Sequence, residues 1–215
     1  TPPVGSPCFP VAPAGASRKP GLRRVNGRSA GKAAAFVTEP LEEDVVMLGH
    51  GSVDLWLRST DVDADLEVHL TEVRPDGQEM LVQTGWLRAS HRKLAEEASE
   101  LRPVKTHLEE DNELLTPGEW TEVRVEMMPF QHIFRAGSRV RLSVDTPGDT
   151  TARWFFILLE QGDDVVHTIG HSTAYPSSVV LPVIPGVEVP TELPACTLRG
   201  QPCREYVPYE NTLAE

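Results

Sequence analysis

GHGSVDLWLRSTDVDADLEVHLTEVRPDGQ, residues 49–78, is the stretch whose reading decides the fold. Val53, Leu55 and Leu57 alternate with Asp54, Trp56 and Arg58, and Leu66, Val68 and Leu70 alternate with Glu67, His69 and Thr71. Successive side chains of a strand point to opposite faces, so each run has one face for a core and one for water. Asp76-Gly77 ends the stretch as a hairpin signal, because both residue types tolerate positive φ. His50-Gly51-Ser52 reads as a tight turn leading into the first of these strands.

The same period of two continues outward. Val123, Val125 and Met127 alternate with Glu122, Arg124 and Glu126, and Val140, Leu142 and Val144 with Arg139, Arg141 and Ser143. Pro117-Gly118, Ala136-Gly137 and Pro147-Gly148 punctuate the runs as turns. AAAFVTEPL (33–41) is expected to be the first strand and turn. WFFILLEQ (154–161) and SSVVLPVI (177–184) are apolar at successive positions and predict strands buried on both faces. Only SHRKLAEEASEL (90–101) has helix-forming composition, enough for two or three turns within a long connection. Roughly eight strands with irregular spacing give an all-β jelly-roll or Greek-key sandwich carrying one short helical insertion.

Residues 1–32 are rich in Pro, Gly and Arg without apolar periodicity, and read as a linker or extended segment. Residues 33–185 form the sandwich domain. In residues 186–215, Pro190, Pro194, Pro202 and Pro208 predict an irregular tail. The formal net charge of −12 argues against nucleic acid or an anionic membrane surface as partner, since phosphate backbones demand Lys and Arg. The basic residues Arg18, Lys19, Arg23, Arg24, Arg28 and Lys32 are the local exception and fit a solvated linker. Cys196 and Cys203, in CTLRGQPC, are close enough in sequence for a small disulfide loop in an oxidising compartment. Cys8 has no obvious partner.

Candidate chemistry is sparse. Gly170-His171-Ser172-Thr173-Ala174 approaches the G-x-S-x-G nucleophile elbow, but Pro176 and the β-branched run after it forbid the helix that elbow needs. His167 and His171 are four apart, a metal spacing on a helix but not in this strand-like sequence. Asp61, Asp63 and Asp65 have the alternation of a calcium loop without its glycine and distal glutamate, leaving a structural cation or a turn of backbone-bonded aspartates. Trp56, Trp86, Trp120 and Trp154 offer rings for a sugar platform or, more commonly, for packing. No catalytic residue, metal ligand or cofactor is assigned.

The ordered set GHGSVDLWLRSTDVDADLEVHLTEVRPDGQ, GWLRASHR (85–92), LTPGEWTEV (115–123), FRAGSRVRLSV (134–144) and HSTAYPSSVVLPV (171–183) resembles the carboxy-terminal non-catalytic domain of X-Pro dipeptidyl-peptidase and CocE/NonD-type serine hydrolases. The resemblance covers roughly residues 33–185. It implies a galactose-binding-like jelly roll packed beside an upstream α/β-hydrolase catalytic domain that holds the catalytic triad, covering one side of the active-site cleft and stabilising the enzyme. The family cleaves esters, or amides after a penultimate proline. No stretch here matches the hydrolase domain, so no catalytic residue carries over. A free-standing jelly-roll module binding carbohydrate or peptide is the second expectation, and homo-oligomerisation stays open.

Overall fold

The computed structural model describes residues 9–11, 33–147, 157–162, 164–196, 203–209 and 211. The basic residues between Arg18 and Lys32, and Cys8, Gly148, Trp154 and Pro202, lie outside them. The strands are β1 (Phe9–Val11), β2 (Ala34–Val37), β3 (Val45–Ser59), β4 (Asp65–Val73), β5 (Gln78–Arg88), β6 (Trp120–Phe134), β7 (Arg139–Asp145), β8 (His167–Ile169), β9 (Ser178–Val180), β10 (Val183–Ile184) and β11 (Cys203–Glu205). Within the amino-terminal segment, then, Phe9–Val11 is an edge strand beside β8.

All pairings are antiparallel along the path β1-β8-β3-β6-β5-β4-β7-β2. Two layers emerge from it: β2-β7-β4-β5 on one side, and β6-β3 with β8, β9 and β10 on the other. Among the described residues they join through one rung, Gly85 opposite Met127. The apolar alternation fills the space between the layers, with Val53, Leu55 and Leu57 of β3, Leu66, Val68 and Leu70 of β4, Val123, Val125 and Met127 of β6 and Val144 of β7 almost wholly buried. The architecture is the β-sandwich that the period-two pattern predicts.

Local geometry departs from the sequence expectation at several places. His50-Gly51-Ser52 is not a turn: β3 runs unbroken from Val45 to Ser59. The irregularity falls on β6, where Met128 and Pro129 together oppose His50 and form a bulge. A bulge suits Pro129, which has no N–H to give the ladder. At the β4–β5 hairpin only Gly77 has positive φ, at 80°. Asp76 contributes through its carboxylate, which accepts the Gln78 N–H at 3.0 Å.

The helix expected over residues 90–101 does not form. One 3-10 turn, Ala89–His91, is followed by a ribbon in which Leu94 bridges Lys105. Ala95 N–H donates to Val104 O, and Thr106 N–H to Lys93 O, at 2.9 and 3.1 Å. Twelve residues of good helix formers are marginal as a helix in water, and the cross-ribbon bonds take the same backbone groups. The expectation of strands buried on both faces also fails. Ile157 and Leu158, in the described part of WFFILLEQ, are 92% and 42% exposed and outside any strand, and Val183 in SSVVLPVI is 51% exposed. Apolar composition marks surfaces that need cover, whether or not this chain supplies it.

A Cβ on Gly85 would lie 2.3 Å from the carbonyl oxygen of Glu126, a backbone atom that can yield only by opening the β5–β6 rung. Gly85→Ala is therefore expected to cost about 2 kcal/mol or more. Gly77→Ala, where the space is open, should cost only the left-handed backbone penalty of roughly 1–2 kcal/mol. Urea denaturation of the two variants checks the ranking.

Candidate functional site

The residues singled out in the sequence meet in small groups and not at one centre; Gln161, for example, is bonded to both Asp61 and His167. Asp63 Oδ1 accepts the N–H groups of Ala64 and Ser90 at 2.9 and 2.8 Å. Asp61 accepts from Val62 N–H and from the Gln161 side chain. Asp65 is held bidentate by Arg88 at 2.7 and 2.9 Å and also accepts Leu159 N–H. These carboxylates are occupied by N–H donors, and among the described residues no group of three His, Cys, Asp or Glu is arranged to hold a metal ion. His167 is buried beside the Ser59 hydroxyl at 3.0 Å, and burial keeps its pKa below the ordinary histidine value. The His171 ring packs on Phe36 instead, so the two histidines have separate surroundings.

Ser172 sits in a tight turn. It exchanges backbone hydrogen bonds with Tyr175, and its hydroxyl accepts the Tyr175 N–H at 3.2 Å. The chain continues into the His171–Pro176 bridge and β9, with no helix to project the hydroxyl toward an oxyanion. Trp56 and Trp120 meet around Tyr175, Trp120 stacked on it at 4.5 Å and Trp56 edge-on at 5.4 Å. Arg58 lies over Trp120 at 4.8 Å. These rings spend their faces on one another and on a guanidinium, as packing residues do.

A cleft of about 400 Å³ opens beyond the Gly85–Met127 rung, lined by Trp86, Arg88, Lys105, His107, Glu126 and Leu158 among others. Among the described residues no serine or cysteine lines it. Pro147 and Ile157 border it, on either side of residues outside the description. Lys105 is buried, its ammonium donates to the Pro103 carbonyl, and desolvation brings its pKa down to about 8.

The most organised polar chemistry is structural and was not legible in the sequence. β4 is buried along its entire length on both faces. The side expected to meet water carries Glu67, His69 and Thr71, with Arg141 of β7 opposite Thr71. Nearby, Glu79 accepts from Thr71 at 2.8 Å, from Arg141 at 2.5 Å, and twice from Arg204 at 2.8 and 2.9 Å. Burial alone would raise the Glu79 pKa, but the charges of Arg141 and Arg204 hold it below the ordinary value. Glu72 is set similarly. Burial opposes its charge, and His132 and Ser138 outweigh that with hydrogen bonds of 2.9 and 2.7 Å.

The outward side of β3 carries a different surface. Val46 pairs with Ile133 on β6 and with Ile184 on β10, so the three share a face, and Leu48 lies two residues along. Leu48 is 55% and Ile184 37% exposed. With Met128 also exposed, this end of the β3 layer offers apolar side chains to whatever lies against it.

Residues 19–179 match the model of the X-Pro dipeptidyl-peptidase C-terminal non-catalytic domain. A Mycobacterium bovis protein that carries the name of a serine esterase is 30% identical over 156 residues, covering 71% of this chain and 24% of that protein. Cocaine esterase of a Rhodococcus species is 26% identical over 157 residues, covering 69% and 25%. The crystal structure of a CocE/NonD family hydrolase from Staphylococcus aureus superposes with a TM-score of 0.61 at 25% identity, covering 71% of this chain and 30% of that one. The chain thus spans about a quarter of the length of the curated relatives it matches.

Two outcomes follow from the titrating groups. Because the folded pKa of Glu79 is depressed, its stabilisation is complete above the ordinary glutamate value of about 4.3 and is lost as pH falls through the lower folded value. Glu79→Gln should cost about 3–5 kcal/mol at pH 7, by stranding Arg141 and Arg204, and should flatten the acid limb of a stability–pH curve measured by denaturant titration. Lys105 also has a folded pKa below its ordinary value, but there burial disfavours the charge instead of partners favouring it. Its charged form is penalised in the fold, so stability rises with pH between about 8 and the ordinary lysine value. Lys105→Met should raise the thermal midpoint at pH 7 and lose part of that gain by pH 10.

Proposed function

The chain belongs to the X-Pro dipeptidyl-peptidase C-terminal non-catalytic domain family, and from that premise we propose that it is the accessory domain of a CocE/NonD-type serine hydrolase, docked beside an upstream α/β-hydrolase domain and covering one side of its active-site cleft. In this reading residues 33–185 are the sandwich unit, residues 1–32 lead to the catalytic domain and residues 186–215 are an added tail. The parent enzyme hydrolyses esters or amides with a serine, aspartate and histidine supplied by the other domain.

The observation that carries the proposal is the apolar strip of Val46, Leu48, Ile133 and Ile184 on the outward side of β3, β6 and β10. A sheet face of this kind gains by losing contact with water, at roughly 25 cal/mol per Å² covered. The chemistry within the chain agrees with an accessory role. Ser172 is bonded into a turn, and the buried carboxylates are tied to arginine, histidine and backbone donors. Covering a neighbour's cleft requires a rigid wall and no reacting group.

The native polypeptide tests this directly. An antibody raised against this chain should detect a band well above 23.7 kDa in its source. A band at 23.7 kDa with no larger precursor would sink the proposal and put the free-standing binding module ahead. In the longer polypeptide, Leu48→Asp with Ile184→Asp should lower the thermal midpoint and ester turnover, while the same changes leave the separate 215-residue chain as stable as before.

A further inference from the structure

The matched family region ends at residue 179, yet the chain beyond it is bonded to the sandwich at successive points. Arg135 donates to Thr191 Oγ1 at 2.7 Å and to the Glu192 carbonyl at 3.1 Å. Arg74 donates to the Pro194 carbonyl at 2.8 Å. Cys196 and Cys203 are joined as a disulfide, with Cα atoms 5.8 Å apart. Immediately after it, between two prolines that were expected to prevent any regular element, Cys203–Glu205 forms β11 against Gln78–Met80 of β5. Tyr206 N–H donates to Gly77 O, and its ring receives the Arg141 guanidinium at 5.8 Å. Farther on, the Tyr209 hydroxyl accepts Ala33 N–H, and Asn211 exchanges two 2.7 Å bonds with the Ala35 backbone.

These contacts have a common physical effect. Without β11, the Gln78–Met80 edge would present unpaired N–H and C=O groups. Without Arg204, the buried Glu79 carboxylate would lose one of its two guanidinium partners, and breaking a buried pair is costly. The tail therefore covers an edge and a charge that the sandwich leaves open. The Cys196–Cys203 disulfide ties the chain where β11 begins, with Cys203 beside Met80 and Arg204 beside Glu79.

We propose that residues 186–196, 203–209 and 211 act as an intramolecular strap, seated on the edge of β5 and across β7 and β2, with the Cys196–Cys203 disulfide as its catch. A small dithiol releases the catch: the S–S bond accepts two electrons and two protons to give two thiols, and the dithiol closes to its own disulfide. Release uncovers the Gln78–Met80 edge and the Glu79–Arg141 pair, while the sandwich core stays closed. This strap is a device of the chain itself and does not depend on the accessory role proposed above.

Hydrogen–deuterium exchange read by mass spectrometry tests it, on the full chain carrying Cys8→Ser so that no third thiol can exchange. Amides of residues 203–206 should exchange at least tenfold faster after dithiol treatment, with β4 and β6 unchanged. Cys196→Ser with Cys203→Ser should show the fast exchange without dithiol. Equal rates in the two redox states would overturn the proposal, as would free thiols at both cysteines in protein purified under air. Loss of protection throughout β4 and β6 on reduction would also overturn it, making the disulfide a staple of the entire domain.

Discussion

Among the described residues, the two layers of this sandwich are joined along the sheet path by a single rung, and that rung needs residue 85 to lack a side chain. Gly85 brings β5 so close to β6 that an added Cβ would meet the Glu126 carbonyl at 2.3 Å. On one side of the rung the strands part to leave the cleft beside Trp86, Lys105 and Glu126. Across the interior, the layers are held by the interdigitated Val, Leu and Met side chains of β3, β4, β6 and β7. Close backbone approach at one point and dense packing elsewhere are enough to close an antiparallel sheet without a full ladder.

The outer face of β4 and β7 is the less expected half of the design. It is polar yet buried, and its charges are compensated one by one, Glu79 by Arg141 and Arg204 and Asp65 by Arg88; on the inward side of β4, Glu72 is met by His132 and Ser138. Such a face tolerates little change, because removing one partner strands the other in a medium that solvates it poorly. The apolar strip and polar layer lie on different layers, so one side can face a neighbour while the tail closes the other.

How much of this was legible in sequence depends on whether the deciding force acts locally. Alternation along residues 53–58, 66–71, 123–127 and 140–144 determined the strands and the core, because the period of two is a property of the backbone itself. Gly77, Gly118 and Gly137 marked their turns for the same reason, each adopting positive φ near 80°. The turn at Ser172 was likewise a local outcome, since Pro176 stands where a helix would have to run. The ordered motifs also carried the family.

Tertiary structure alone decided the rest. The residues 90–101 have helical propensity but fold as a ribbon, since Lys93, Leu94 and Ala95 find backbone partners across from them at 104–106. Arg141 and Glu67 look solvent-facing in the alternation and are buried, because a face is wet or dry according to what covers it. The Glu79 cluster draws on residues 71, 79, 141 and 204, and no sequence window contains all four. Propensity and periodicity are written within a few residues; burial, charge compensation and the seat of the tail arise between residues far apart in the chain, and so appear only once it has folded.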